Sequence, residues 1–167
     1  MSDVMGQLRQ LVGTWEGIGR GTFPTIDPFE YTEKMVIHAI GNDPLLYYEQ
    51  YTWRNNASGQ KIAAHQECGF IRPISGNSIE LTNGQNSGRT EILVGTIEQR
   101  GTEIFLNLTS KHIAYDERMI ASSRVFRLVE GQLEYSTGMA TVSVPQIQPH
   151  LHATLQKVVE RVAECVV

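Results

Sequence analysis

Near the C-terminal end of the chain, Pro149-His150-Leu151-His152 sets two imidazoles one residue apart. On a strand such residues share a face. If Pro149 instead opens an irregular strand, the two diverge, one toward an interior and one toward a rim. A neutral imidazole nitrogen is a good ligand for haem iron or zinc. Zinc is weakly indicated, because there is no HExxH and no carboxylate beside the His-x-His. Without CxxCH, a haem here would be held non-covalently. His65, in AAHQECGF, is a second candidate, facing a cavity or pointing outward with Glu67. His38 and His112 read as solvent-facing strand residues. Cys68 and Cys165 fall in no CxxC or Cys/His pattern and read as reduced thiols.

A second unusual segment is GTWEGIGRGTFPTI, residues 13–26. Gly17, Gly19 and Gly21 fall on one side of a strand and leave it bare over three positions. Two readings stand together. Either the strand bends where a neighbour packs close, or its bare side admits a flat ligand. The missing Lys-Ser/Thr and the lack of a following helical period argue against a phosphate loop. The Gly-x-Trp also resembles the first strand of lipocalins and fatty-acid-binding proteins, where the Trp plugs one end of a barrel. Trp15 is expected to do the same.

The elements around these residues read as strands. Turn signals at Gly41-Asn42-Asp43-Pro44, Ser58-Gly59, Ser75-Gly76-Asn77, Asn83-Gly84, Gly101 and Glu130-Gly131 separate segments rich in β-branched and aromatic residues. These include 31–40, 45–53, 90–98, 102–110, 122–130 and 132–144. In 102–110, Ile104, Leu106 and Leu108 share one parity, so the two faces meet different surroundings. Roughly ten strands and almost no helix predict an all-β fold: one antiparallel barrel around a ligand cavity. Residues 1–12 form a short helical cap with Asp3 as N-cap, and the tail 159–167 is unassigned. One domain, 1–167, is expected.

Composition narrows the class. The chain is 41% hydrophobic and 19% charged with a net charge of −4, an ordinary globular balance. The absence of a basic stripe argues against nucleic acid. The first residues do not read as a signal peptide, and no stretch reaches the apolar length of a membrane span. A cytoplasmic protein is expected.

Taken together, GTWEGIGRGTFPT (13–25), HQECGFIRP (65–73) and MATVSVPQIQPHL (139–151) resemble nitrobindins over nearly the whole chain. The resemblance implies a ten-stranded barrel holding one ferric haem b, reversible binding of NO, isomerisation of peroxynitrite to nitrate, and a homodimer. It assigns His150 as proximal ligand, Thr25 as a haem contact and His65 to the distal side. Where members carry Met before that His, this chain has the smaller Ala64. Residues 111–119 match the family pattern poorly, and nothing is carried over there. An apolar distal side is expected, favouring uncharged NO. Two other functions fit the same architecture. A fatty-acid carrier would need an internal cation; no Arg-x-Tyr is present, and Arg124 and Arg127 lie on opposite strand faces. A non-catalytic haem or NO sensor would need the same site as the isomerase.

Overall fold

The computed structural model describes residues 3–159. A helix, α1 (Val4–Arg9), leads into ten strands: β1 (Gly13–Phe23), β2 (Ile26–Ala39), β3 (Leu46–Asn55), β4 (Lys61–Ser75), β5 (Ser78–Gln85), β6 (Thr90–Arg100), β7 (Glu103–Ala114), β8 (Met119–Val129), β9 (Gln132–Thr141) and β10 (Val144–Lys157). Each strand pairs antiparallel with the next, and β1 pairs with β10 to close the barrel. The expected ten-stranded barrel with a short N-terminal helix is therefore what forms. Closure leaves no edge strand. Residues 160–167, with Cys165, lie outside the described residues. Just before them, the Val158 N–H still donates to the Thr14 carbonyl at 2.8 Å.

Most hairpin turns fall on the flagged residues. Gly41, Gly59, Gly76, Gly101 and Gly131 all have positive φ, which glycine adopts without steric cost. The segment 132–144 divides, because Val142-Ser143 turn between β9 and β10. No Gly, Pro or Asn marks that turn; the hydroxyls of Thr141 and Ser143, 3.1 Å apart, support it instead, with Thr141 Oγ1 also accepting from the Val144 N–H.

Inward-facing positions change character along each strand. In β2 the series runs Tyr31, Glu33, Met35, Ile37. In β8 it runs Ser122, Arg124, Phe126, Leu128, and in β6 Glu91, Leu93, Ile97; all are buried. Antiparallel pairing brings the apolar members together at one end and the polar members at the other. The apolar end is sealed by α1, whose Val4 and Leu8 join the core with Leu11 and Trp15. Asp3 caps α1 by accepting from the Gly6 N–H at 2.8 Å. Trp15 is buried and donates its indole N–H to the Leu11 carbonyl at 2.8 Å, fixing the helix across the barrel end. This is the plug anticipated for it. The polar end remains open and carries the cavities.

Candidate functional site

Along β10, Ala153 and Leu155 face inward, which assigns odd positions to the interior and His152 to the outside. His150 should then face out as well. The ladder prevents this: Pro149 pairs with Gly138 and Leu151 with Thr137, so β10 spends an extra residue at His150. Such a β-bulge re-aims a side chain. The freed Leu151 N–H donates to the Thr137 hydroxyl at 3.2 Å. His150 thereby becomes a half-buried wall of all three cavities at the open end, whose volumes are about 210, 900 and 550 Å³. His152 stays exposed, opposite Arg20 and Ser136, and borders only the 900 Å³ groove. Of the two arrangements open from sequence, the histidines take the divergent one.

The imidazole of His150 is prepared as a ligand. Nδ1 lies 3.0 Å from the Thr22 carbonyl, which can only accept, so Nδ1 carries the proton and Nε2 keeps its lone pair. Burial lowers the His150 pKa, partly opposed by the Thr22 hydrogen bond, and the ring is neutral at pH 7. Phe23 and Phe29 stand edge-on to it, with centroids at 5.9 and 6.5 Å.

A second bulge lies across the cavity. Tyr51 pairs with Gln66 and Trp53 with Ala63, so Ala64 and His65 together face Thr52. Again a threonine hydroxyl takes the stray amide: the His65 N–H donates to Thr52 Oγ1 at 2.9 Å. Ala64 and His65 both line the 210 Å³ cavity with His150. His65 also gives its Nε2 proton to Glu67 Oε2 at 3.1 Å, so its two sequence readings merge: it faces the cavity and keeps its carboxylate partner. Thr25 sits in the β1–β2 turn, exposed, and lines the 550 Å³ cavity beside Phe23 and His150.

The glycines of β1 are covered. Tyr31 is the cross-strand partner of Gly19 and Phe29 that of Gly21, and each ring lies where a Cβ would stand. At Gly17 a Cβ would meet the Thr154 carbonyl oxygen. The close-neighbour reading thus describes this strand, and aromatic rings rather than bare backbone face the interior over Gly19 and Gly21. Gly21 also borders the 900 Å³ groove.

The interior near His65 differs from the apolar distal side expected from sequence. Arg124 is buried and donates from Nη1 and Nη2 to Glu67, and from Nη2 to Glu91 at 3.0 Å. Tyr48 donates to Glu67 at 2.8 Å. Burial alone would raise the Glu67 pKa, but Arg124 and His65 outweigh it and hold the carboxyl well below its usual range. A neighbouring cluster behaves oppositely. Glu33 accepts from Tyr135 at 2.6 Å and Gln50 at 2.8 Å, and Tyr135 shares a 2.9 Å hydrogen bond with Tyr31. Lacking a paired cation, Glu33 is pushed up by burial to about 8. The physical reason is the strand pattern: the inward positions nearest the opening carry Glu, Arg, Gln and Tyr, which hydrogen-bond one another, although Glu91 Oε1 and the Ser122 hydroxyl are left without a hydrogen-bond partner among the described residues. Glu33 and Glu91 were not singled out from sequence, and Glu67 and Arg124 were named there without being brought together inside the barrel. Their signal was available, since each shares the parity of apolar inward neighbours. Arg127 lies outside with Glu103 and Glu134, as the three-residue spacing from Arg124 requires.

The fit of this site to a haem rests on its donor chemistry. A neutral imidazole with a fixed tautomer, aromatic walls and an adjoining cleft are the donor chemistry and surroundings that a haem iron would take. Among the described residues no cluster of three or more His, Cys, Asp or Glu could hold a bare metal ion. Residues 4–157 match the family described as the THAP4-like, heme-binding beta-barrel domain. The chain belongs to that family. Members of the THAP4-like haem-binding barrels, the nitrobindins, include similar proteins from mycobacteria and plants. A Mycobacterium ulcerans protein named peroxynitrite isomerase 2 is 39% identical over 153 residues, covering 90% of this chain and 92% of that one. An Arabidopsis thaliana protein named peroxynitrite isomerase Rv2717c is 37% identical over 150 residues, covering 90% and 86%. The crystal structure of Rv2717c from M. tuberculosis superposes with a TM-score of 0.84 at 34% identity, covering 95% of this chain and 99% of that one. An S-type phycobiliprotein lyase from Guillardia theta shares the barrel fold at a TM-score of 0.67 and 9% identity.

Proposed function

We propose that this nitrobindin binds one haem b per chain through His150, takes up NO, and isomerises peroxynitrite to nitrate. The observation that carries the reading is the bulged His150, whose Nδ1 proton is held by the Thr22 carbonyl while Nε2 is left as a lone pair beside a cleft. The names of the similar proteins and the family match support it. When bound, haem supplies the iron centre at which peroxynitrite rearranges, and the redox chemistry belongs to that cofactor.

The chain's own residues do the rest. His150 would hold the haem iron through Nε2, and it stays neutral because it is partly buried. The Thr137 hydroxyl keeps the bulge in place, and the Thr22 carbonyl keeps the ring from turning. Thr25 and the rings seated on Gly19 and Gly21 form walls, with Gly17 drawing β10 close. His65 commits its Nε2 proton to Glu67, which holds its ring at the cavity wall. The reading includes a cytoplasmic protein and a homodimer as assembly. A fatty-acid carrier is less well supported, because Arg124, the buried arginine deep in the cavity, is already shared between Glu67 and Glu91.

Stopped-flow decay of peroxynitrite tests the activity. The haem-loaded chain is expected to accelerate decay in proportion to its concentration and to raise the nitrate share of the products. Decay no faster than with free haem would reject catalysis and leave NO binding as the function.

A further inference from the structure

Five arginines border the three cavities: Arg20, Arg54, Arg89, Arg118 and Arg124. Four of them are committed to carboxylates. Arg20 lies 3.1 Å from Glu30, Arg89 lies 3.6 Å from Glu91 and 3.7 Å from Asp116, and Arg118 grips Asp116 at 2.9 Å. Arg124 is held by Glu67 and Glu91. Arg54 differs. It is exposed near the end of β3, lines the 210 Å³ cavity, and among the described residues has no ion-pair partner. Its guanidinium carbon lies 4.1 Å from the centre of the Phe29 ring. That cation–π contact places the charge without giving its N–H groups an oxygen to bind. The same ring stands edge-on to His150, so one aromatic side chain braces both the free cation and the candidate iron ligand.

We propose that Arg54 is the carboxylate-binding residue of this cavity, pairing with a propionate of the bound haem. The proposal rests on the haem reading above. A porphyrin with two propionates on one edge is apolar elsewhere. Deep in the barrel, Glu67 and Glu91 repel an added carboxylate, and Arg124 is already neutralised by them. At the mouth the guanidinium of Arg54 offers a planar fork that matches a carboxylate. No lysine borders these cavities among the described residues. A fatty acid carries the same chemistry, a carboxylate on an apolar body, and the test separates the two.

The test is a titration of wild type, Arg54→Ala and Arg54→Lys with ferric protoporphyrin IX and, in parallel, with its dimethyl ester. Melting temperature serves as a fold control. Arg54→Ala is expected to weaken binding of the free acid about tenfold and leave the diester unchanged, with Arg54→Lys recovering part of the loss. Equal weakening of both porphyrins, or no weakening of either, would overturn the proposal. If the wild type gives no Soret shift, the haem reading itself fails, and a fluorescent long-chain fatty acid becomes the probe. Weaker binding of that probe in Arg54→Ala would keep Arg54 as a carboxylate site with a different occupant. An unchanged affinity would remove the assignment altogether.

Discussion

His150 reaches the cavity because of one extra residue in β10 and one hydroxyl on β9. The Thr137 Oγ1 that accepts from Leu151 holds the backbone that aims the imidazole, and Thr137 itself borders the 210 and 900 Å³ cavities. Thr137→Val should weaken haem affinity about tenfold, as lost outer-shell support commonly does, whereas Thr137→Ser should retain it; equal loss in both would assign the effect to packing. Two buried carboxylates nearby predict opposite pH responses. Glu33 has a folded pKa of about 8 against 4.5 unfolded, so the native state holds its proton longer and stability falls as pH rises from about 4.5 to about 8. Glu67 is lowered, so its contribution is complete above pH 4.5 and is lost as pH falls through the folded pKa. Melting curves across pH should show Glu33→Gln flattening the decline between about pH 4.5 and 8 while leaving the acid limb below it in place. An unchanged decline over that window would mean that Glu33 is not the group responsible. The sequence pointed to His150 through its PHL motif, but it could not say that His150 and His152 part company, because a bulge adds a residue without any composition of its own.

At the scale of elements, the alternation in 102–110 and the turn glycines made the strands readable before any coordinates. The break at Val142-Ser143 was not readable, since side-chain hydroxyls replace the usual turn residues there. The strand β1 carries the most informative failure. Its glycines are equally good evidence for a bare ligand surface and for a surface covered by neighbours, and only the cross-strand register, Gly19 to Tyr31 and Gly21 to Phe29, decides. Gly17 is the strictest of the three, because its would-be Cβ meets backbone on β10 rather than a movable side chain. Gly17→Ala should therefore cost about 2–4 kcal/mol in chemical denaturation, while Ile18→Ala on the exposed face of the same strand should cost under about 1 kcal/mol. Similar losses for the two would contradict the close approach of β1 and β10.

Across the whole molecule, the barrel is two compartments stacked end to end. One is an apolar core sealed by α1 and Trp15, which supplies stability through buried area. The other is a polar chamber that contributes little net stability and a great deal of order. Its Arg124–Glu67–Glu91 group is buried and mutually paired, so removing one partner should be far worse than its surface counterparts suggest. Glu67→Gln is expected to destabilise by about 3–5 kcal/mol, and Glu103→Gln in the solvent-screened pair with Arg127 to change the denaturation midpoint far less. This division explains what the sequence concealed. Glu33, Glu67 and Arg124 sit at inward parity, yet a charged residue in an alternating strand reads by default as solvent-facing, and only closure of the barrel puts them inside.

The central claim is that this barrel holds a haem through His150, and an optical haem titration of the wild type beside His150→Ala addresses it most directly. A Soret shift saturating at one haem per chain, abolished or weakened at least tenfold in His150→Ala, is the predicted result. A variant that takes up haem with unchanged affinity and spectrum would contradict it.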